Sequence, residues 1–145
     1  MRIADILRTK GASVATITET TTVTGLLAEL VVHNIGAMVV VGPDGRVVGI
    51  VSERDVVRTL HDHGPELLRS AVSDIMSKVL VTCTPEDQID DLSALMTNNR
   101  VRHVPVMQDD RLVGIVSIGD VVKNRMEQLQ SEQEHLQAYI TQGGS

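Results

Sequence analysis

The sequence predicts an α/β (α+β) fold of two pseudo-symmetric β-α-β-β-α repeats packed through their sheets, followed by a long C-terminal helix. Three observations predict it. Residues 46–58, RVVGIVSERDVVR, return at 111–123 as RLVGIVSIGDVVK, identical at nine of thirteen positions. With small loop differences the similarity extends over nearly the whole chain. Within each copy, apolar runs of strand length alternate with segments whose apolar residues recur at helical spacing. The repeats are assigned to residues 1–66 and 67–125, and a helical extension to 126–145.

Each copy opens on an approach helix, Ala4-Asp5-Ile6-Leu7 in the first and Ser73-Asp74-Ile75-Met76 in the second. A short β-rich segment follows, Val14–Thr18 matched by Leu80–Thr84. Next, the segment from Val23 matches that from Ile89; apolar residues fall at Val23, Leu26, Leu27 and Leu30 and at Ile89, Leu92, Leu95 and Met96, a spacing that predicts a helix in each copy. AMVVVGPDGRVVGIVS and HVPVMQDDRLVGIVS then read as two strands around a turn, with Gly-Pro-Asp-Gly and Gln-Asp-Asp as the turn signals. Runs such as VVV and GIV are apolar on both faces, as suits a small sheet covered by helices. A closing helix starts at Ser52 or Ser117. A unit of roughly 60 residues is marginal alone, so the two copies should pack about a pseudo-twofold axis.

Composition narrows the function. At 145 residues and 42% hydrophobic the chain can bury one real core, and with no Trp or Phe and only Tyr139 that core must be aliphatic. The start, MRIADILRTK, is charged and amphipathic rather than a signal pattern, and no apolar run reaches the ~18 residues of a membrane span. A single cysteine, Cys83, forms no internal disulfide and fits a reducing cytoplasmic setting. Thirteen basic against nineteen acidic residues leave −6, and base-stacking aromatics are missing, which argues against nucleic acid as a partner. No nucleophile–base pair, paired carboxylates or Walker-type loop appears, so the reading is not an enzyme. His61 and His63 read as a solvated helix end, having no third metal ligand at usable spacing. Cys83 reads as a small buried residue.

A strand ending in Gly-Ile-Val-Ser, then x-x-Asp at a helix start, resembles the CBS domain, named after cystathionine β-synthase. Arg-His-Val-Pro-Val at 102–106 resembles the strand motif of that family. The resemblance spans about residues 1–125 and identifies a tandem CBS pair. It implies a regulatory module, with no required cofactor, that takes an adenine nucleotide (AMP, ADP or ATP) in the clefts between repeats. It also implies ribose-binding roles for Asp55 and Asp120 and phosphate-facing roles for Ser52 and Ser117. Arg102, His103 and Pro105 are implied at the start of the Pro-Val strand, and Val14 and Val79 on the first-strand backbone.

Elementary chemistry agrees. A helix N-terminus presents unpaired N–H groups to phosphate, and an ionised Asp can accept both donors of a ribose diol. Arg54, Arg102, His103 and Lys123 place positive charge beside the motif. Ser-x-x-Asp is equally close to a capping box that satisfies only its own helix. The copies also differ: Gly36 and Ala37 stand where the second has Arg102 and His103, and Glu53-Arg54 where it has Ile118-Gly119. Two clefts of unequal affinity are therefore expected, with an empty one as the limiting case.

From Val122 onward, Val122, Met126, Leu129, Leu136 and Ile140 form a heptad seam, with Gln133 where one more apolar residue would fall. This extension, together with the common pairing of modules it resembles, predicts a homodimer. The expectation is a stand-alone module acting in trans on a regulated protein that the sequence does not identify. The rival reading is an adaptor whose clefts have lost their ligand.

Overall fold

The structure, a computed structural model, describes residues 1–11, 14–79 and 81–143. Helix α1 (Ile3–Lys10) precedes strand β1 (Thr16–Thr18), helix α2 (Val23–His33), strands β2 (Ala37–Val41) and β3 (Val47–Ser52), and helix α3 (Glu53–His63). Two 3-10 turns, Gly64–Arg69 and Val72–Asp74, lead to helix α4 (Ile89–Asn99), strands β4 (His103–Gln108) and β5 (Arg111–Ser117), and helix α5 (Ile118–Gly143). The second approach segment is thus a 3-10 turn and not an α-helix. Helix α5 runs through residue 125 without a break, so repeat and tail share one rod of 26 residues, about 39 Å long.

The first sheet has the order β1-β2-β3, with β1 parallel and β3 antiparallel to β2. The second contains only the antiparallel pair β4-β5. Both hairpins carry an irregularity at the same place, between Val40 and Val41 and between Val106 and Met107. The β-rich segment expected at Leu80–Thr84 shrinks to one parallel bridge, Cys83 to Val106, with Leu80 itself outside the described residues. Pro105 supplies the reason. Its carbonyl accepts the Cys83 N–H at 3.1 Å, but without an N–H of its own it cannot carry the ladder one rung back. Val39, at the equivalent position in the first copy, has that N–H and pairs with Thr16.

Two aliphatic cores result, and the approach segments are exchanged between them. Ile3 and Ile6 of α1 pack with Cys83, Leu92, Met96, Val104 and Val116 of the second half. Val72, with Ile75 and Met76, packs among Ile17, Leu26, Met38 and Val51 of the first. The backbone follows: Ile3 N–H donates to the Asp87 carbonyl, and Val72 N–H to that of Thr21. This crossing explains the glycine of both Gly-Ile-Val-Ser motifs. A Cβ on Gly49 would lie 2.7 Å from Met76 Sδ and 2.8 Å from the Ser77 carbonyl oxygen, and one on Gly114 would lie 2.5 Å from Leu7 Cδ2. Each glycine lets the other half's segment lie against the hairpin.

Candidate functional site

A cavity of about 390 Å³ opens where three stretches meet: the β3–α3 junction, Ser77–Val79 after the second approach segment, and Arg100–His103 before β4. Ser52 caps α3. Its backbone N–H and its hydroxyl donate to Asp55 Oδ2 at 2.9 and 3.0 Å, and Asp55 N–H donates back to Ser52 Oγ at 3.3 Å. Ser77 Oγ lies 3.5 Å from the other carboxylate oxygen. Asp55 is 8% exposed, the only charged residue buried among those described. The capping box read in the sequence therefore exists, and it also sets a carboxylate at the wall of a cavity.

The wall is strongly basic. Arg54, Arg58, Lys78, Arg100 and Arg102 line it against Glu53 and Asp55. Among the described residues none of these five cations takes part in an ion pair. Ile50, Val79, Val81 and Val101 supply an aliphatic surface beside them. A chain of net charge −6 has gathered a local positive excess here.

Ser52, Arg54, Asp55, Arg102, His103 and Val79 thus come together around one cavity. Arg102 and His103, read from the second copy, face the Asp55 of the first. The motif comparison within each copy had missed that exchange. Pro105 is buried on β4 and lines neither cleft, its carbonyl being taken by Cys83. Sequence reasoning also missed Arg58, Ser77, Lys78 and Arg100. Only Arg100 carried a signal: it holds the left-handed C-cap of α4 at φ 53°, where the first copy has Asn34, a residue better suited to that conformation.

Ser117 and Asp120 form the equivalent pair in the second copy. Ser117 N–H donates to Asp120 Oδ2 at 2.9 Å, and Asp120 N–H to Ser117 Oγ at 3.1 Å. Ser117 borders a second cavity of about 560 Å³, with Val14, Ala15, Ile35, Gly36 and Ala37. Asp120 faces a smaller cavity of about 130 Å³ beside Lys123. Lys10 donates to Asp120 Oδ2 at 2.7 Å and to the Ile115 carbonyl at 2.9 Å. Burial works to raise the Asp120 pKa, but the Lys10 hydrogen bond, the Ser117 N–H and the Lys10 charge outweigh it, and the net shift is downward. His103 borders both clefts. Burial lowers its pKa first, then Lys10 and Arg102, against the pull of Asp120 and Asp55. Burial, with Asp87 adding to it, pushes the Cys83 thiol up to about 12, which leaves it inert at neutral pH.

The CBS domain family profile matches residues 3–62 and 72–127. The CBS domain-containing protein CBSX3, mitochondrial, of Arabidopsis thaliana is 39% identical over 98% of this chain and 72% of its own. The crystal structure of the CBS-domain containing protein ATU1752 from Agrobacterium tumefaciens superposes with a TM-score of 0.81 at 42% identity, covering 86% of this chain and 92% of that one. The CBS domain pair of protein MJ0100, solved with 5'-methylthioadenosine and S-adenosyl-L-methionine, shares the fold at 24% identity and a TM-score of 0.74, over 88% of this chain and 98% of that one. No helix among the described residues is long and apolar enough to cross a membrane.

Proposed function

The chain belongs to the CBS domain family, and we propose that it is a regulatory module that binds an adenine nucleotide in the cleft around Asp55. One observation carries the reading: a buried carboxylate, a capped helix start and five cations outside any described ion pair converge on a single cavity of about 390 Å³. In this reading Asp55 accepts the ribose hydroxyls, exchanging its bond from Ser77 for theirs. The adenine lies on the aliphatic surface of Ile50, Val79, Val81 and Val101. The phosphates meet the α3 start, Arg54, Arg58 and Lys78, with Arg100 and Arg102 across the opening. Five cations suit a di- or triphosphate better than AMP. The adenosine ligands of MJ0100 set the competing class, since S-adenosylmethionine carries a cation that this wall would repel.

The module acts without catalysis, signalling to another protein by biasing how the halves or subunits pack. A ligand does this only through differential affinity for the two arrangements. A homodimer through α5 completes the reading. Met126, Leu129, Leu136 and Ile140 are all more than half exposed along the seam, and Gln133 sits at an a-type position, where a polar pair sets register. Cytoplasmic residence rests on the single buried cysteine, with the mitochondrial relative as the counter-example.

Thermal unfolding with AMP, ADP, ATP, NADH and S-adenosylmethionine tests the ligand. At 100 times its dissociation constant, the true ligand adds about 2.7 kcal/mol and a clearly raised midpoint. ATP or ADP should give the largest shift, and Asp55→Ala should lose it while Asp120→Ala keeps it. Asp55 is already satisfied by Ser52 and Ser77, which favours a second reading, a ligand-free adaptor. No shift with any ligand, and variants that are merely less stable, would establish that one instead.

A further inference from the structure

Among the described residues Lys10 alone lines both the cavity that holds Ser117 and the smaller one that holds Asp120. In the first cleft the equivalent pair, Ser52 and Asp55, faces one undivided cavity. The group reaching Asp55 from the exchanged segment is a hydroxyl, Ser77 Oγ, at 3.5 Å. The group reaching Asp120 is an ammonium, at 2.7 Å, which also holds the Ile115 carbonyl. The side chain is therefore both a shared lining group of the two cavities and a bonded partner of Asp120.

We propose that Lys10 is an internal occupant of the second cleft, closing a latent adenosine site that its removal would open. The inference rests on the reading that the first cleft binds an adenine nucleotide. An ammonium has three donors, and its bond to a carboxylate is charge-assisted, whereas a ribose offers two neutral hydroxyls to the same oxygen atoms. Lys10 is also tethered to the chain, so it competes as an intramolecular group at an effective concentration that free ligand must match. Taking its side chain away joins the two cavities and leaves Ser117 and Asp120 facing one space. The walls already suit an adenosine: Val14, Ala15, Ile35 and Ala37 are small or aliphatic. Lys123 then remains as the ammonium beside Asp120, so the opened site takes a monophosphate more readily than a triphosphate.

Calorimetric titration of the full chain with AMP and with ATP decides it, on wild type, Lys10→Met, Lys10→Gln and Lys10→Met/Asp120→Asn. Wild type should bind one nucleotide per chain. Lys10→Met should bind a second AMP at least tenfold more tightly than wild type does, and the double variant should return to one. Lys10→Gln guards against a folding defect, since it keeps a polar, uncharged side chain of nearly the same length at the mouth of the cleft. Two equal AMP sites in wild type overturn the proposal, as does a single site in both folded Lys10 variants. Loss of all binding on replacing Lys10 overturns it too, by making Lys10 a ligand-binding residue. Wild type without any site, with one gained in Lys10→Met, upholds the inference and defeats the function proposed for the first cleft. No site in any protein defeats both.

Discussion

Around Asp55 the chain gathers five cations, none in an ion pair among the described residues; around Asp120 it brings two lysines, one of them, Lys10, already bonded to the carboxylate. Both clefts are built on the same hairpin, the same Ser-x-x-Asp cap and the same close contact at a glycine. They diverge because each is completed by the other half of the chain. Residues 77–78 reach the first cleft with a hydroxyl and a cation, and residue 10 reaches the second with a cation that has no anion left to wait for. Near-identical repeats yield two different sites when the exchanged segments differ. Copy number alone therefore says little about ligand number.

The largest effect should come from the exchange itself. Gly49→Ala places a methyl 2.8 Å from the backbone oxygen of Ser77, which cannot turn aside. Gly114→Ala meets only the end of the Leu7 side chain, at 2.5 Å, and that can change rotamer. Overpacking typically costs 1–3 kcal/mol, so Gly49→Ala should lose about 3 kcal/mol in urea unfolding and Gly114→Ala about 1. The gap would also reach function, because Ser77 and Lys78 line the first cleft. Equal losses would mean that the two halves hold their exchanged segments alike.

The charge difference comes next. A hydrogen bond to a charged group is worth about 1.5–3 kcal/mol, so Arg102→Ala should weaken ATP binding roughly 10- to 100-fold. AMP should suffer less if the lost bond is to a distal phosphate. Gly36→Arg places a second arginine at the equivalent position, beside Glu53, since a Cβ there would lie 3.4 Å from Glu53 Oε1. It should therefore alter ATP affinity far less than Arg102→Ala does. A change of similar size would show that charge anywhere near the opening suffices, and that the geometry of the first cleft is not selective.

How much of this could be read in the sequence follows from what kind of information each part carries. The repeat, the hairpins, the caps at Ser52 and Ser117 and the long helix are local, encoded by periodicity and turn chemistry within a few residues, and they were legible. Two local readings failed: the second approach helix is a 3-10 turn, and the strand at Leu80–Thr84 came from weighing its own β-forming residues and not its partner. Pro105, twenty residues later, removes the N–H that its ladder would need. The partnership of Arg102 and His103 with Asp55 was not legible, because placing the clefts between repeats does not say which residues of one copy meet the motif of the other. The exchange of the approach segments is a packing outcome. Its only trace was the glycine in Gly-Ile-Val-Ser, whose meaning needed the segment that lies on it. Lys10 gave no sign at all, being one charged residue at the exposed end of an amphipathic helix.

The smallest effect concerns whether the clefts sense each other. His103 borders both, and its pKa is held down by burial first, then by the charges of Lys10 and Arg102, while Asp120 and Asp55 pull it up. A histidine with a lowered folded pKa is neutral in the fold. Its linked contribution to stability is whole above the ordinary value of 6.5 and is lost as pH falls through 6.5 toward the lowered value. Phosphate in the first cleft supplies the opposite charge, so nucleotide binding near pH 6 should take up protons at His103. Imidazole resonances followed against pH would show it, with the His103 midpoint moving up in Lys10→Met and down in Asp55→Asn. A midpoint that responds to Arg102→Ala but not to Lys10→Met would place His103 electrically in the first cleft alone. The second cleft could then be filled or emptied without the first registering it. A midpoint that responds to both would make this one imidazole the shortest electrostatic link between the cleft around Asp55 and the cleft around Asp120.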